Sequence, residues 1–122
     1  METLKLEVDL KELYKLTEFI AQYSKDLQTK LAIEEIFVNI VNYSNADYAI
    51  VNVECDENLE IEFVDNGIQF NPLLKKDTET PESLEEVKIG GLGIMLVKNY
   101  ADDLTYKYEN GENHFKIIKN VK

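Results

Sequence analysis

Residues 59–63 read Leu-Glu-Ile-Glu-Phe. This strict alternation constrains the chain more than any other feature, because successive side chains of an extended strand point to opposite faces. Leu59, Ile61 and Phe63 share one face, while Glu60 and Glu62 share the other, so the segment belongs to a sheet with one buried and one wet face. Such a strand needs partners. Residues 48–64 contain two strand-like segments broken by Asp56-Glu57-Asn58, a natural tight turn. A second pair, 104–109 and 114–119, flanks Asn110-Gly111, the strongest short-range hairpin signal in the chain. Leu4, Leu6 and Val8 alternate in the same way and predict a first strand over about residues 3–8.

Elsewhere the period becomes helical. Asp9 predicts a helix cap, with Glu12 three positions on completing a capping box, and Leu13, Leu16, Ile20 and Tyr23 continue the helix. A second helix is predicted over about residues 27–44, its apolar face made by Ile33, Ile36, Phe37, Ile40 and Val41. A short apolar helix is predicted between Leu92 and Tyr100. The order is therefore β-α-α-β-β-loop-α-β-β, without internal repeats, and 122 residues suit a single domain, 1–122. Residues 71–89 break the compact pattern. They hold both prolines, Pro72 and Pro81, and a polar run from Lys75 to Glu86. So long a connection in a small domain reads as a lid, a disordered segment or an insertion without a role.

Composition narrows the chemistry. With 24 acidic and 13 basic residues the formal charge is -11, which disfavours a nucleic-acid partner. Every basic residue is lysine, so the chain has no guanidinium fork for phosphate. Backbone amides, a metal ion, a lysine such as Lys75, Lys76 or Lys88, or a partner would have to do that work. Cys55 is the only cysteine, which rules out an intramolecular disulfide and a cysteine-cluster metal site; it is expected as a small core residue. The lone His114 is expected to be structural. No apolar run approaches the ~18 residues of a membrane span, and nothing resembles a signal peptide, so a cytoplasmic protein without membrane contact is expected.

Three clusters could carry chemistry. Of 5 glycines, Gly111 belongs to the hairpin, Gly67 follows the strand ending near Asp65, and Gly90, Gly91 and Gly93 precede a helix. Amides of Gly90-Gly91-Leu92-Gly93 could face an anion at a helix N-terminus, although tight turns alone would also explain these glycines. The spacing fits neither a Walker loop nor a dinucleotide fingerprint. Glu35, Asn39 and Asn42 fall at i, i+4 and i+7, a polar stripe that is either a solvated face or a set of hard oxygen ligands and proton acceptors suited to magnesium and general-base work. Asp65-Asn66-Gly67 is either a turn or an acceptor for the amino group of adenine; Phe70 and Pro72 either pack the loop onto the core, the expectation for Phe70, or border the base.

Taken in order, these segments resemble the ATPase domain shared by histidine kinases and gyrase B, often called the Bergerat fold. Within that superfamily the chain resembles the small anti-sigma-factor serine kinases of the RsbW and SpoIIAB type. Leu31 to Ser44 matches the family's N box, with its glutamate and asparagine on Glu35 and Asn39; Asp65 to Pro72 resembles the first glycine box and Gly90 to Val97 the second. The resemblance implies a two-layer α/β sandwich, with a mixed, mostly antiparallel sheet and helices on one face. It also implies ATP and magnesium as ligands, and an ATP lid at about 71–89. By the same resemblance Asn39 ligates magnesium and Glu35 acts as base. Asp65 reads adenine with Gly67 allowing close approach, and Gly91 and Gly93 offer amides to the phosphates. The implied activity is transfer of the ATP γ-phosphate to serine or threonine of an anti-anti-sigma (STAS) partner, with a sigma factor and a second copy of the chain as further partner candidates. The alternative is a nucleotide-switched binding protein with little turnover. Gln69, Tyr43 and Ser44 depart from the pattern, standing where many relatives have glycine, histidine and alanine. No phosphoacceptor histidine or preceding dimerisation helix is present, so a complete sensor kinase is not expected.

Overall fold

The computed structural model describes residues 1–71 and 92–120. Five strands form one sheet in the order β1-β2-β3-β5-β4: β1 Glu2–Leu6, β2 Ala49–Cys55, β3 Asn58–Asp65, β4 Asp103–Glu109 and β5 Glu112–Asn120. All four pairings among them are antiparallel. Three α-helices, α1 Leu13–Ala21, α2 Leu27–Asn39 and α3 Leu92–Tyr100, pack on one face. This is the two-layer α/β sandwich that the element order and the resemblance imply.

Register explains why only one face is covered. Val51 stands opposite Leu4 and Phe63, Phe63 opposite Phe115, and Ile61 opposite Val53 and Ile117. With period-two geometry all of these point the same way, and all but the half-buried Leu4 are within a few per cent of complete burial. Ile33, Ile36, Phe37 and Ile40 from the second helix, with Leu16, Ile20 and Val97, close the core from above. The opposite face is a polar ladder. Thr3 Oγ1 donates to Asn52 Oδ1 (2.7 Å), Asn52 Nδ2 donates to Glu62 Oε1 (3.1 Å), and Lys116 lies 3.4 Å from Glu60.

Several expectations shift at element ends. Asp9 does cap, accepting from the Lys11 amide at 2.9 Å, but it caps a 3-10 turn over Leu10–Glu12, and Glu12 accepts from the Glu7 amide instead of closing a box with Asp9. The second helix is α-helical only to Asn39 and continues as a π turn over Ile40–Ser44, ended by Asn45 in the left-handed region at φ 55°. At the β4–β5 hairpin, Asn110 and Gly111 have φ of 55° and 77°, the paired positive φ of a type I′ turn. Cys55 is exposed rather than buried. It shares the parity of Ala49, Val51 and Val53, but it sits at the strand end beside the Asp56–Asn58 turn, past the reach of the helices. His114 lies half-buried on the outer face, 3.7 Å from Glu62 and 3.8 Å from Glu112. The expected lid, with Lys75, Lys76, Lys88, Gly90 and Gly91, lies outside the described residues apart from Asn71. Among the described residues no helix is long and apolar enough to cross a membrane.

Candidate functional site

A pocket opens where the end of the second helix faces the sheet. Ile36, Asn39, Ile40 and Ser44 line it from the helix and π turn; Phe63, Asp65, Tyr106, Asn113 and Phe115 line it from the strands, and Phe70 forms a wall. Its volume is about 430 Å³ counting the space open to solvent.

Asn39 enters the pocket because the apolar stripe of α2 turns Ile36 and Ile40 toward the sheet, and residue 39 lies one turn after Glu35 on the neighbouring stripe. It is only 8% exposed, and its carbonyl Oδ1 is fully buried without a hydrogen-bond partner among the described residues. A buried orphan acceptor costs a fold on the order of 1–3 kcal/mol, so its persistence calls for a ligand that completes it. A hard cation suits a carboxamide oxygen. Among the described residues no three carboxylates, imidazoles or thiolates converge to hold a metal by themselves. Asn39 therefore fits a magnesium ion that arrives with oxygens from its own ligand, as magnesium does with nucleotide phosphates. Glu35 is half-buried on the same helix but is not among the residues that line the pocket.

Asp65 ends β3 and is 5% exposed. Its Oδ1 accepts from the Gly67 amide at 2.9 Å and from Asn113 Nδ2 at 3.0 Å. Burial pushes its carboxyl above the usual carboxylate range, while the bonds from Asn113 and Gly67 pull the other way. Gly67 serves the loop's packing. A Cβ there would stand 2.3 Å from the Ser44 carbonyl oxygen, and the next amide, of Ile68, donates to that same oxygen at 2.8 Å. Asn66 secures the approach from the other side, accepting from the amides of Asp47 (2.7 Å) and Tyr48 (3.2 Å). Gly93 lies in the first turn of α3, and Gly91 lies outside the described residues. The structure thus brings Asn39 and Asp65 into one pocket, with Glu35 one turn before Asn39 on the same helix and Gly67 in the loop after β3.

Two polar lining residues, Asn113 and Tyr106, were not singled out by sequence reading as site residues. Asn113 is 5% exposed and stands directly opposite Asp65 in register. Tyr106 donates its hydroxyl proton to Asn113 Oδ1, and burial raises its phenol above the ordinary range. Ser44 is buried and spends its hydroxyl locally, donating to the Ile40 carbonyl at 2.6 Å and accepting from the Ala46 amide at 3.1 Å. Phe70, expected in the core, is 40% exposed at the pocket wall, because its amide is drawn to Asn113 Oδ1 (3.1 Å) at the rim rather than under the helices.

Comparison with known proteins agrees with this geometry. Residues 10–119 match the family model described as a histidine kinase-like ATPase domain. The serine-protein kinase RsbW of Listeria monocytogenes is 31% identical over 91 residues, covering 67% of this chain and 58% of the relative. The RsbW of Listeria innocua is 30% identical over a stretch of the same length. The RsbW of Staphylococcus epidermidis is 26% identical over 113 residues, covering 84% of this chain and 70% of the relative. The chain thus spans under two thirds of the length of the Listeria relatives it matches.

Proposed function

The chain belongs to the histidine kinase-like ATPase domain family, and on that premise we propose that it binds ATP with magnesium and transfers the γ-phosphate to a serine or threonine of a small STAS-like regulatory protein. The observation that carries this reading is a single pocket joining Asn39, whose buried carbonyl lacks a partner among the described residues, to the buried acceptor Asp65. Asp65 would accept from the amino group of adenine, and Phe63, Phe70 and Phe115 would give the base apolar surface. Asn39 would ligate magnesium, which when bound neutralises charge on the phosphate oxygens. Amides at Gly91 and Gly93 would hold the phosphates, since the chain has no arginine to do so. Glu35 would take the proton from the partner's hydroxyl as that oxygen bonds to the γ-phosphorus and the bond to the β-phosphate oxygen breaks, releasing ADP. The RsbW relatives are named serine-protein kinases, which supports the acceptor class.

A second reading is favoured by one observation, the place of Glu35 outside the pocket lining. On that reading the nucleotide is a latch that alters the grip on a sigma factor or another regulator, with little turnover. One experiment separates the two. The chain is incubated with γ-labelled ATP, magnesium and a STAS-domain protein, alongside Glu35→Ala. Kinase action predicts label on the partner and at least ~100-fold slower transfer by the variant, with ATP binding kept. Nucleotide binding without transfer by the parent would leave the latch reading.

A further inference from the structure

Asn113 has four hydrogen-bonding positions and uses all of them inside the protein. Its Nδ2 donates to Asp65 Oδ1 (3.0 Å) and to the Ile68 carbonyl (2.9 Å). Its Oδ1 accepts from the Phe70 amide (3.1 Å) and from the Tyr106 hydroxyl. The direction of the amide is forced: a backbone N–H can only donate and a backbone carbonyl can only accept. Asn113 therefore has nothing left to offer a ligand, and neither does the Tyr106 proton. On Asp65, Oδ1 already holds two donors, while Oδ2 makes no hydrogen bond among the described residues.

From this saturation we propose that Asn113 is a positioning residue that fixes the hydrogen-bond polarity of the pocket's inner end. It makes Asp65 an acceptor only, so that the site selects a ligand bearing an amino group and rejects one bearing a carbonyl there. The inference rests on the ATP-binding reading and deepens it by assigning selectivity to a residue that has no hydrogen bond left for the ligand. Burial works against the charge on Asp65, and the two donors aimed at its Oδ1 oppose that effect and favour the ionised form. A carbonyl-bearing base would meet that carboxylate with no donor nearby to relieve the repulsion, and a polar site left with mismatched groups discriminates strongly. Asn113 also ties residues 68 and 70 to β5, so the same amide holds the wall of the pocket and the charge at its floor.

The test compares ATP with inosine triphosphate, which has a carbonyl in place of the amino group, by titration calorimetry with magnesium. The parent is expected to prefer ATP by at least ~100-fold. Asn113→Asp places a second carboxylate against Asp65. Two carboxylates so close share a proton, and the pair then offers an O–H donor. The preference for ATP is expected to fall at least ~10-fold, with the affinities for the two nucleotides changing unequally. A merely structural role would weaken both alike and leave their ratio fixed. Asn113→Ala, which takes one donor from Asp65 and so favours its protonated, O–H-bearing form, serves if the first variant does not fold, with an expected ratio loss of a few fold, about 3 to 10. A parent that prefers ATP while both folded variants keep its ratio would overturn this inference alone. A parent that binds neither nucleotide would overturn the ATP reading and this inference together.

Discussion

Asn39 shows at the scale of one residue how function and stability compete. Its carbonyl is buried, unpartnered among the described residues, and on the wall of a pocket whose other helix-side groups are apolar or satisfied. Leucine has a similar shape and carries no acceptor to desolvate. Asn39→Leu is therefore expected to raise the stability of the ligand-free chain by about 1 kcal/mol in urea unfolding, while magnesium-dependent ATP binding is lost. A less stable variant would mean that the carbonyl is not the cost taken here. Asn39 was legible in the sequence only as part of a polar stripe with Glu35 and Asn42, and helical spacing alone does not rank the three. What separates Asn39 is burial, which depends on where the sheet lies against the helix. Asn113 was hidden for a different reason. A strand read from residue 114 leaves 113 in the turn, whereas β5 begins at Glu112 and gives Asn113 the inward parity of Phe115 and Ile117. A polar residue at an inward position of a strand is the signal that a correct boundary would have exposed.

Between elements, the contact that shapes the site is the one between the π turn and the loop after β3. The π turn widens the end of the second helix, and the buried Ser44 presents its carbonyl to the Ile68 amide. That leaves no room for a side chain at residue 67. The obstruction is backbone, which cannot swing aside as a flexible side chain would. Gly67→Ala is expected to destabilise the fold by about 1–3 kcal/mol in denaturant unfolding and to weaken ATP binding by shifting Asp65, two residues away. Alanine tolerated at no cost would show that the loop can move off the helix end. Alternation and turn chemistry made the five strands readable, because period two and an Asn-Gly turn are local properties. The conversion of α2 to a π turn was not readable, since nothing in Ile40-Val-Asn-Tyr-Ser44 opposes ordinary helix. The exposure of Cys55 likewise depends on how far the helices extend over β2, a tertiary matter that strand parity does not carry.

Over the whole molecule, acidity acts in two ways that salt can separate. A formal charge of -11 on 122 residues makes the folded chain repel itself. Those charges lie mostly on the surface, and added salt shortens their reach from about 10 Å at 0.1 M to about 3 Å at 1 M. Asp65 is a different case, because its carboxyl is raised chiefly by loss of water rather than by neighbouring charge. A carboxyl whose folded pKa lies above its unfolded value favours folding below the unfolded value, and that benefit is lost as pH rises through the folded value. At neutral pH the ionised Asp65 is therefore a cost to the fold, kept for what it binds. Asp65→Asn retains an oxygen for the Gly67 and Asn113 donors and removes the charge. The variant is expected to melt above the parent at neutral pH, with the gap closing as the pH falls through the folded pKa of Asp65. Raising sodium chloride from ~0.1 M to ~1 M should lift both melting curves by screening the surface. It should leave the gap between them unchanged, since mobile ions do not restore lost hydration to a buried group. A gap that shrinks in step with added salt would instead place the burden on Asp65 in the surface charge, with Glu112 a contributor of the same sign.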